Sequence, residues 1–594
     1  MTAPAHPPEP STTAGARRTT LALAALAVAF AAADTYVVVL ALPDMMAGVG
    51  LSIDQLQRAA PIVSGFLLGY VAMLPLIGRV ADIRGRVPVL VFSLVVFALG
   101  SLLTATADGL GPMVFGRFLQ GLGGGGLVPA TLALVADLWP AEDRGVPLGV
   151  VGAVQEMGAV LGPLYGALVL ALWPWPAIFW VNLVVGVALA VAIAAVGGAH
   201  RVDLDWVGLA ALALAGTALV LLLVAPQALV VDVTFGLAWV PLAGNSAWLT
   251  PLALAGLLAT AVFVTRDLTA ARPLLDLRGI GQVVRQTDVL GAVLLGAFLA
   301  GVVLAFATAD PEVSVFSPQG PWYLACSALA AAGFWWRQRR AANPLVPRRT
   351  LAAPAAWGSL AVSFFVGAAL IAALVDVPVF ARLTTHPGSQ LGAALVLLRF
   401  LLALPVGALT GGWLVRRYSA GLVTAAGMVA SAGAFVSMTR WDERSLDGFG
   451  ATLSLVVCGL GFGLALAPVN AALLAATAPA VHGVSSALVV VARMVGMLVG
   501  ISALTTIGLA RFYAVEESIP PPTRLCPDDP SSCDPYVALL RDAGLTQLHT
   551  VFVGAAVCAV VAAVLGVLLL HLRAPGTGPA SVIRTGGLGQ STEQ

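Results

Sequence analysis

Six ionisable residues stand inside long apolar runs of the chain: Asp34, Arg117, Glu156, Asp376, Arg399 and Arg493. An Asp or Arg at mid-bilayer costs about 2.5–3.5 kcal/mol on insertion scales, so each must face a cavity or a partner. Asp34 lies roughly 24 Å along a helix from Arg18, at about 1.5 Å per residue. A carboxyl at that depth can take up and release a proton, or it can be paired structurally near the outer membrane face. Glu156 lies roughly 18 Å from Arg144, and Arg493 roughly 16 Å from His482, by the same rise. An acid and a base at matched depth, one from each half of the chain, predict an ion lock between the halves; the alternative is a pair within each half. Asp376 and Arg399 are weaker candidates, as partners of each other or of lipid headgroups.

The elements that must hold these residues are membrane helices. Of 594 residues, 59% are hydrophobic and only 10% charged, with a mean hydropathy of +0.96. A soluble domain carries about 25% charged residues, so a soluble enzyme is excluded. Apolar runs of about 18–28 residues are the pattern of repeated spanning helices, and the ten-residue alternating segments of a transmembrane barrel are missing. The net charge of +1 implies no nucleic-acid partner. Every basic residue is Arg, so no Walker A lysine exists. The six His (His6, His200, His386, His482, His549, His571) never fall at metal-ligand spacing. The chain therefore reads as a protein that is not an enzyme, with no metal and no cofactor.

The expected fold is all-α and polytopic. The runs give about 16 spans from 20–47 to 545–571, and the first follows Arg17-Arg18 without a cleavage site, so it is helix 1 rather than a signal peptide. An even number puts both termini on one side, and the excess of Arg there places them in the cytoplasm of an inner-membrane protein. The expected organisation is a tail at 1–19, a six-helix bundle at 20–200, two inserted hairpins at 201–350, a second bundle at 351–571 and a tail at 572–594. Ala-Arg-Pro-Leu-Leu-Asp-Leu-Arg (271–278) and Ala-Asn-Pro-Leu-Val-Pro-Arg-Arg (342–349) mark the hairpins as copies of one unit. Asp34 and Asp376 echo each other in the first helix of each bundle, and parallel repeats around a central cavity are a transporter design.

Three motifs sharpen this. Gly78-Arg-Val-Ala-Asp82-Ile-Arg-Gly85-Arg86 reads as a tight turn between helices 2 and 3. Helix 5 carries Gly149, Gly158, Gly162, Pro163 and Gly166, where small residues allow close helix approach and the proline bends the helix. Helix 4 carries Arg117-Phe-Leu-Gln120-Gly121. The first resembles the signature loop of the major facilitator superfamily, with Val87 in place of a second basic residue. The second resembles the antiporter signature of its drug exporters, with Ala167 in place of the last Gly. Asp34-Thr-Tyr36-Val-Val-Val39-Leu-Ala-Leu-Pro43 resembles helix 1 of the drug:proton antiporters with inserted linker helices, with Tyr36 and Val39 making the wall more apolar. With Ala153-Val-Gln-Glu156 and the His482 to Arg493 stretch, the chain is most similar to the actinobacterial triacylglyceride exporters. That resemblance implies a major facilitator fold and proton-coupled export of apolar lipid across the inner membrane. It also implies membrane lipids as surroundings, a periplasmic lipoprotein partner, and a coupling role for Arg117. Multidrug efflux of hydrophobic small molecules is the alternative, since fold and motifs serve both.

The last outward loop is long. Helix 15 can run from near Gly483 to about Glu517, roughly 52 Å against a hydrocarbon core of about 30 Å. Helix 16 can start at Asp534-Pro535, a good cap and first turn, so a paired stalk at about 511–547 is expected to project outward. The tip from Pro520 to Cys533 is expected to be non-helical. Cys526 and Cys533 face an oxidising compartment there, which favours a disulfide over two free thiols.

Overall fold

The computed structural model describes the chain except residues 1–13, 52–55, 197–205, 226, 233, 245, 271–286, 308–318, 348–349, 387–389, 527–532 and 571–594. Lipid offers no partner to a bare amide, so each spanning run closes its hydrogen bonds within itself and becomes a helix despite its many Val and Gly residues. Sixteen long helices result among the described residues. The first six are α1 (Ala14–Gly48), α2 (Leu56–Arg84), α3 (Arg86–Ala105), α4 (Leu110–Leu138), α5 (Gly145–Leu172) and α6 (Pro176–Val196). Then come α7 (Trp206–Val224), α8 (Pro251–Thr269), α9 (Val289–Ala307) and α10 (Gly320–Arg340). The last six are α11 (Pro354–Leu383), α12 (Gln390–Leu414), α13 (Ala420–Met438), α14 (Phe449–Ala476), α15 (His482–Glu516) and α16 (Asp534–Leu569). Twelve described stretches are long and apolar enough to cross a membrane, and α7 and α9 supply shorter ones.

Packing repeats at an interval of ten helices. In the first bundle α1 lies on α5, α2 and α3 on α4, and α3 on α6; in the second, α11 lies on α15, α12 and α13 on α14, and α13 on α16. Each bundle has its own apolar core, with Phe66 and Phe97 fully buried in one and Phe400, Phe435, Phe462 and Phe552 in the other. The two most extensive crossings between them among the described residues are α2 with α15 and α5 with α12, each the image of the other under that repeat; α4 with α15 and α5 with α14 add smaller ones. Between the bundles in sequence, α7 pairs with α8 and α9 with α10. The second hairpin also packs on α2 and α15, burying Leu295, Leu299 and Val303. Residues 271–278, the first copy of the hairpin motif, lie outside the described residues.

Two expectations need correction. The turn motif is mostly helix: α2 runs through Arg84 and α3 begins at Arg86. Gly85 alone breaks the path, at φ +89°, where a side chain would be strained. The stalk tip also contains a helical turn, Pro522–Leu525, because a proline in the first turn loses no hydrogen bond. The long helices α15 and α16 have 35 and 36 residues and so reach well beyond a bilayer core of about 30 Å.

Candidate functional site

The turn motif binds one bundle to the other. Asp82, at the end of α2, accepts hydrogen bonds from the Gly483 amide at 2.8 Å and the Val484 amide at 3.1 Å. These are among the first amides of α15, which have no partner inside their own helix, and the carboxylate meets the positive end of the helix dipole. Arg86 holds the same carboxylate at 2.6 Å and reaches Asp137 of α4 at 3.1 Å. Gly78 lies so close that an added Cβ would stand 2.5 Å from the Gly483 carbonyl oxygen.

The glycines of α5 divide between two neighbours. Gly145 and Gly149 lie against Gly412 and Ala408 of α12, in the other bundle. Gly158 and Gly162 lie against the backbone of Ala29 and Ala33 of α1, in the same bundle. Gly166 is buried, and α5 continues through Pro163, whose side chain lies outside the described ones. Beside the crossing, Arg416 reaches Asp143 at 3.1 Å on the exposed surface. There Arg144 donates to the carbonyls of Trp139 and Ala136 at the end of α4, and burial lowers its pKa from the usual guanidinium value against the pull of Asp137 and Glu142.

Deeper in the seam, Arg493 Nη1 stands 3.7 Å from Glu156 Oε1, with side chains only 11% and 12% exposed. Arg493 also lines a narrow cavity between the bundles, together with Leu132, Val151, Val366, Leu466 and Val489 and the polar Gln155 and Asn470. Every contact between bundles named here lies between this level and the side that carries the turn motif. The seam is thus closed on that side.

Asp34 and Arg117 form a different unit, contained within the first bundle. Arg117 Nη1 meets Asp34 Oδ2 at 2.7 Å, and both are buried. The Asn182 amide donates to the other Asp34 oxygen. Arg117 also donates to Gln120, whose amide donates to Ser101, and its guanidinium stacks 4.5 Å from the centre of the Phe66 ring. The chain α1–α4–α6–α3 is thereby held by one buried polar network. Sequence reasoning missed Asn182 and Ser101. Asn182 was visible in principle, as the one amide in the otherwise apolar run of α6.

Asp376 and Arg399 do not pair. Arg399 donates to the Leu446 carbonyl at 3.2 Å and to Thr452 at 2.9 Å, because the α13–α14 connection folds over it. Asp376 is 7% exposed on α11. On the stalk, a disulfide joins Cys526 to Cys533. At its base, His549 Nε2 bonds the Trp441 carbonyl at 2.8 Å, and Arg541 reaches Glu443 at 3.4 Å.

Comparison with known proteins bears on this arrangement. Residues 24–336 match the family model described as Major Facilitator Superfamily. The chain is 34% identical to a triacylglyceride transporter of Mycolicibacterium smegmatis, over 97% of this chain and 92% of that protein. It is 35% identical to one of Mycolicibacterium hassiacum, over 87% and 85% respectively. In fold it is similar to the crystal structure of the human organic anion transporter MFSD10 (TETRAN), with a TM-score of 0.50, 15% identity and coverage of 92% and 99%.

Proposed function

The chain belongs to the Major Facilitator Superfamily, and on that premise we propose that it is a proton-coupled exporter of apolar lipid, of the triacylglyceride type, in the inner membrane. The observation that carries the reading is the closed seam: Asp82 on the α15 amides, the backbone crossing of α5 and α12, and the Glu156–Arg493 pair. A transporter of this architecture works by opening such a seam on one side while closing the other. The turn-motif side is the cytoplasmic side in this reading, with both termini there, so the state described is shut towards the cytoplasm.

Coupling is assigned to the buried charges. With Asp34 ionised, Arg117 and Asn182 tie α1 to α4 and α6. Protonation of Asp34 removes the charge that holds Arg117 and so loosens α1, the helix against which Gly158 and Gly162 pack. The Glu156–Arg493 pair closes the inner path and must part for cargo to enter from the cytoplasmic leaflet. The lipid cargo is supported by the names of relatives that align over most of the chain. The stalk of α15 and α16 extends the exit path beyond the outer leaflet, where a periplasmic lipoprotein could receive an insoluble cargo.

The test is transport in proteoliposomes under an imposed pH gradient, comparing a fluorescent triacylglyceride with ethidium. Gradient-driven movement of the lipid supports the reading. Movement of ethidium alone replaces it with multidrug efflux.

A further inference from the structure

The two bundles repeat each other, and the first helix of each carries one buried carboxyl at matched depth. Asp34 lies about 30 Å from the start of α1 and Asp376 about 33 Å from the start of α11, at about 1.5 Å per residue. Their surroundings are opposite. Asp34 has a guanidinium on one oxygen and an amide on the other. Asp376 has no hydrogen-bond or ion-pair partner among the described residues; of its neighbours on the helix face, Ala372, Ala373 and Phe380 are buried in the core of the second bundle and Val379 is exposed.

Every cation that could have served it is committed or turned away. On α15, Arg493 faces Glu156, and Arg511 is exposed farther along the helix. On α12, Arg399 is spent on Leu446 and Thr452. On α16, His549 bonds the Trp441 carbonyl and Arg541 faces Glu443. On α14 the titratable side chain is the buried thiol of Cys458, and on α11 itself Arg382 is exposed. A carboxylate left ionised in such a place would keep an uncompensated charge out of water, and groups so placed neutralise instead.

We propose that Asp376 is a second proton-binding site, which holds a proton in the state described here and gives it up when the bundles rearrange. This rests on the reading of the chain as a proton-coupled transporter. The step is a plain acid–base exchange: a carboxylate oxygen takes a proton from water on the outer side, and the same O–H bond breaks to water on the inner side. The two halves then differ in kind. One stores a compensated charge, and the other stores a neutral acid. With the Asp34–Arg117 pair intact and Asp376 protonated, neither carboxyl leaves a bare charge in the membrane while the seam is shut.

Infrared spectroscopy of the full chain in nanodiscs at neutral pH tests this directly. The difference between wild type and Asp376→Asn should contain the C=O stretch of a protonated carboxyl, and the band should persist in Asp34→Asn. Asp376→Glu should keep both the band and gradient-driven lipid transport, while Asp376→Asn should lower that transport about a hundredfold or more, the scale of losing one proton-transfer group. Superimposable wild-type and Asp376→Asn spectra in the carboxylic-acid region overturn the proposal. If wild-type transport ignores the pH gradient, the coupling reading falls, and the infrared comparison still decides whether Asp376 holds a proton.

Discussion

Arg493 of α15 and Glu156 of α5 face each other at 3.7 Å across the seam between the two bundles, in surroundings that are otherwise largely apolar. Removing one partner of a buried pair leaves an uncompensated charge, at a cost of about 3–5 kcal/mol. Glu156→Arg and Arg493→Glu should each reduce transport strongly, and the double exchange should recover part of it. A double-mutant cycle on transport rates in proteoliposomes measures the coupling. Additive losses would mean that the two residues act separately.

Asp34→Asn keeps the size of the side chain and cannot titrate. The protein should insert and elute as a folded species, yet lose gradient-driven transport. Wild-type rates under a pH gradient would remove Asp34 from the coupling mechanism and leave it a structural partner of Arg117.

Asp82→Asn keeps a hydrogen-bond acceptor at the start of α15 but removes the negative charge facing the helix dipole. Such charges contribute up to about 2 kcal/mol in partly buried geometry, so the equilibrium should move towards an open seam by up to roughly thirtyfold. Spin labels at Glu142 and Arg417, both on the turn-motif side, report this as a longer distance population. An unchanged distribution would show that Asp82 is not what keeps the seam shut.

Much of the architecture was legible in the sequence because the membrane dictates it. Helix length, the number of long helices and the overlong α15 and α16 follow from apolar runs and their flanking prolines and charges, and α16 begins at Asp534 with Pro535 in its first turn. What stayed hidden depends on contacts far apart in the chain. The partner of Asp82 is 401 residues away, so its motif read as a local turn, whereas most of it is helix docked on another helix. Asn182 was one amide in an apolar run, and nothing local says that it meets Asp34. Asp376 or lipid headgroups were the expected partners of Arg399, but the Leu446 carbonyl of the α13–α14 connection and the Thr452 hydroxyl of α14 meet it.

The stalk gives a prediction of another kind. Mapping without reduction should recover the peptide pair joined by Cys526 and Cys533, and alkylation of both thiols before reduction would exclude the bond. Deleting residues 520–533 with a short Gly-Ser closure should lower lipid export while leaving any small-drug efflux intact. Unchanged rates for both cargoes would free the stalk tip of any role in transport.

The seam is built where glycine meets glycine, at Gly78 with Gly483 and at Gly145 with Gly412. Such crossings bring backbones very near but bury little side-chain area, so they supply shape and little adhesion. Apolar side chains packed across the seam, among them Ala487 and Val490 of α15, add cohesion, and ionic contacts run from exposed Arg416–Asp143 to buried Glu156–Arg493. Exposed ion pairs weaken with added salt, and buried ones respond far less. The lifetime of the shut state should therefore have two ionic components, and raising cytoplasmic ionic strength should shorten it by loosening the rim while the inner lock still holds.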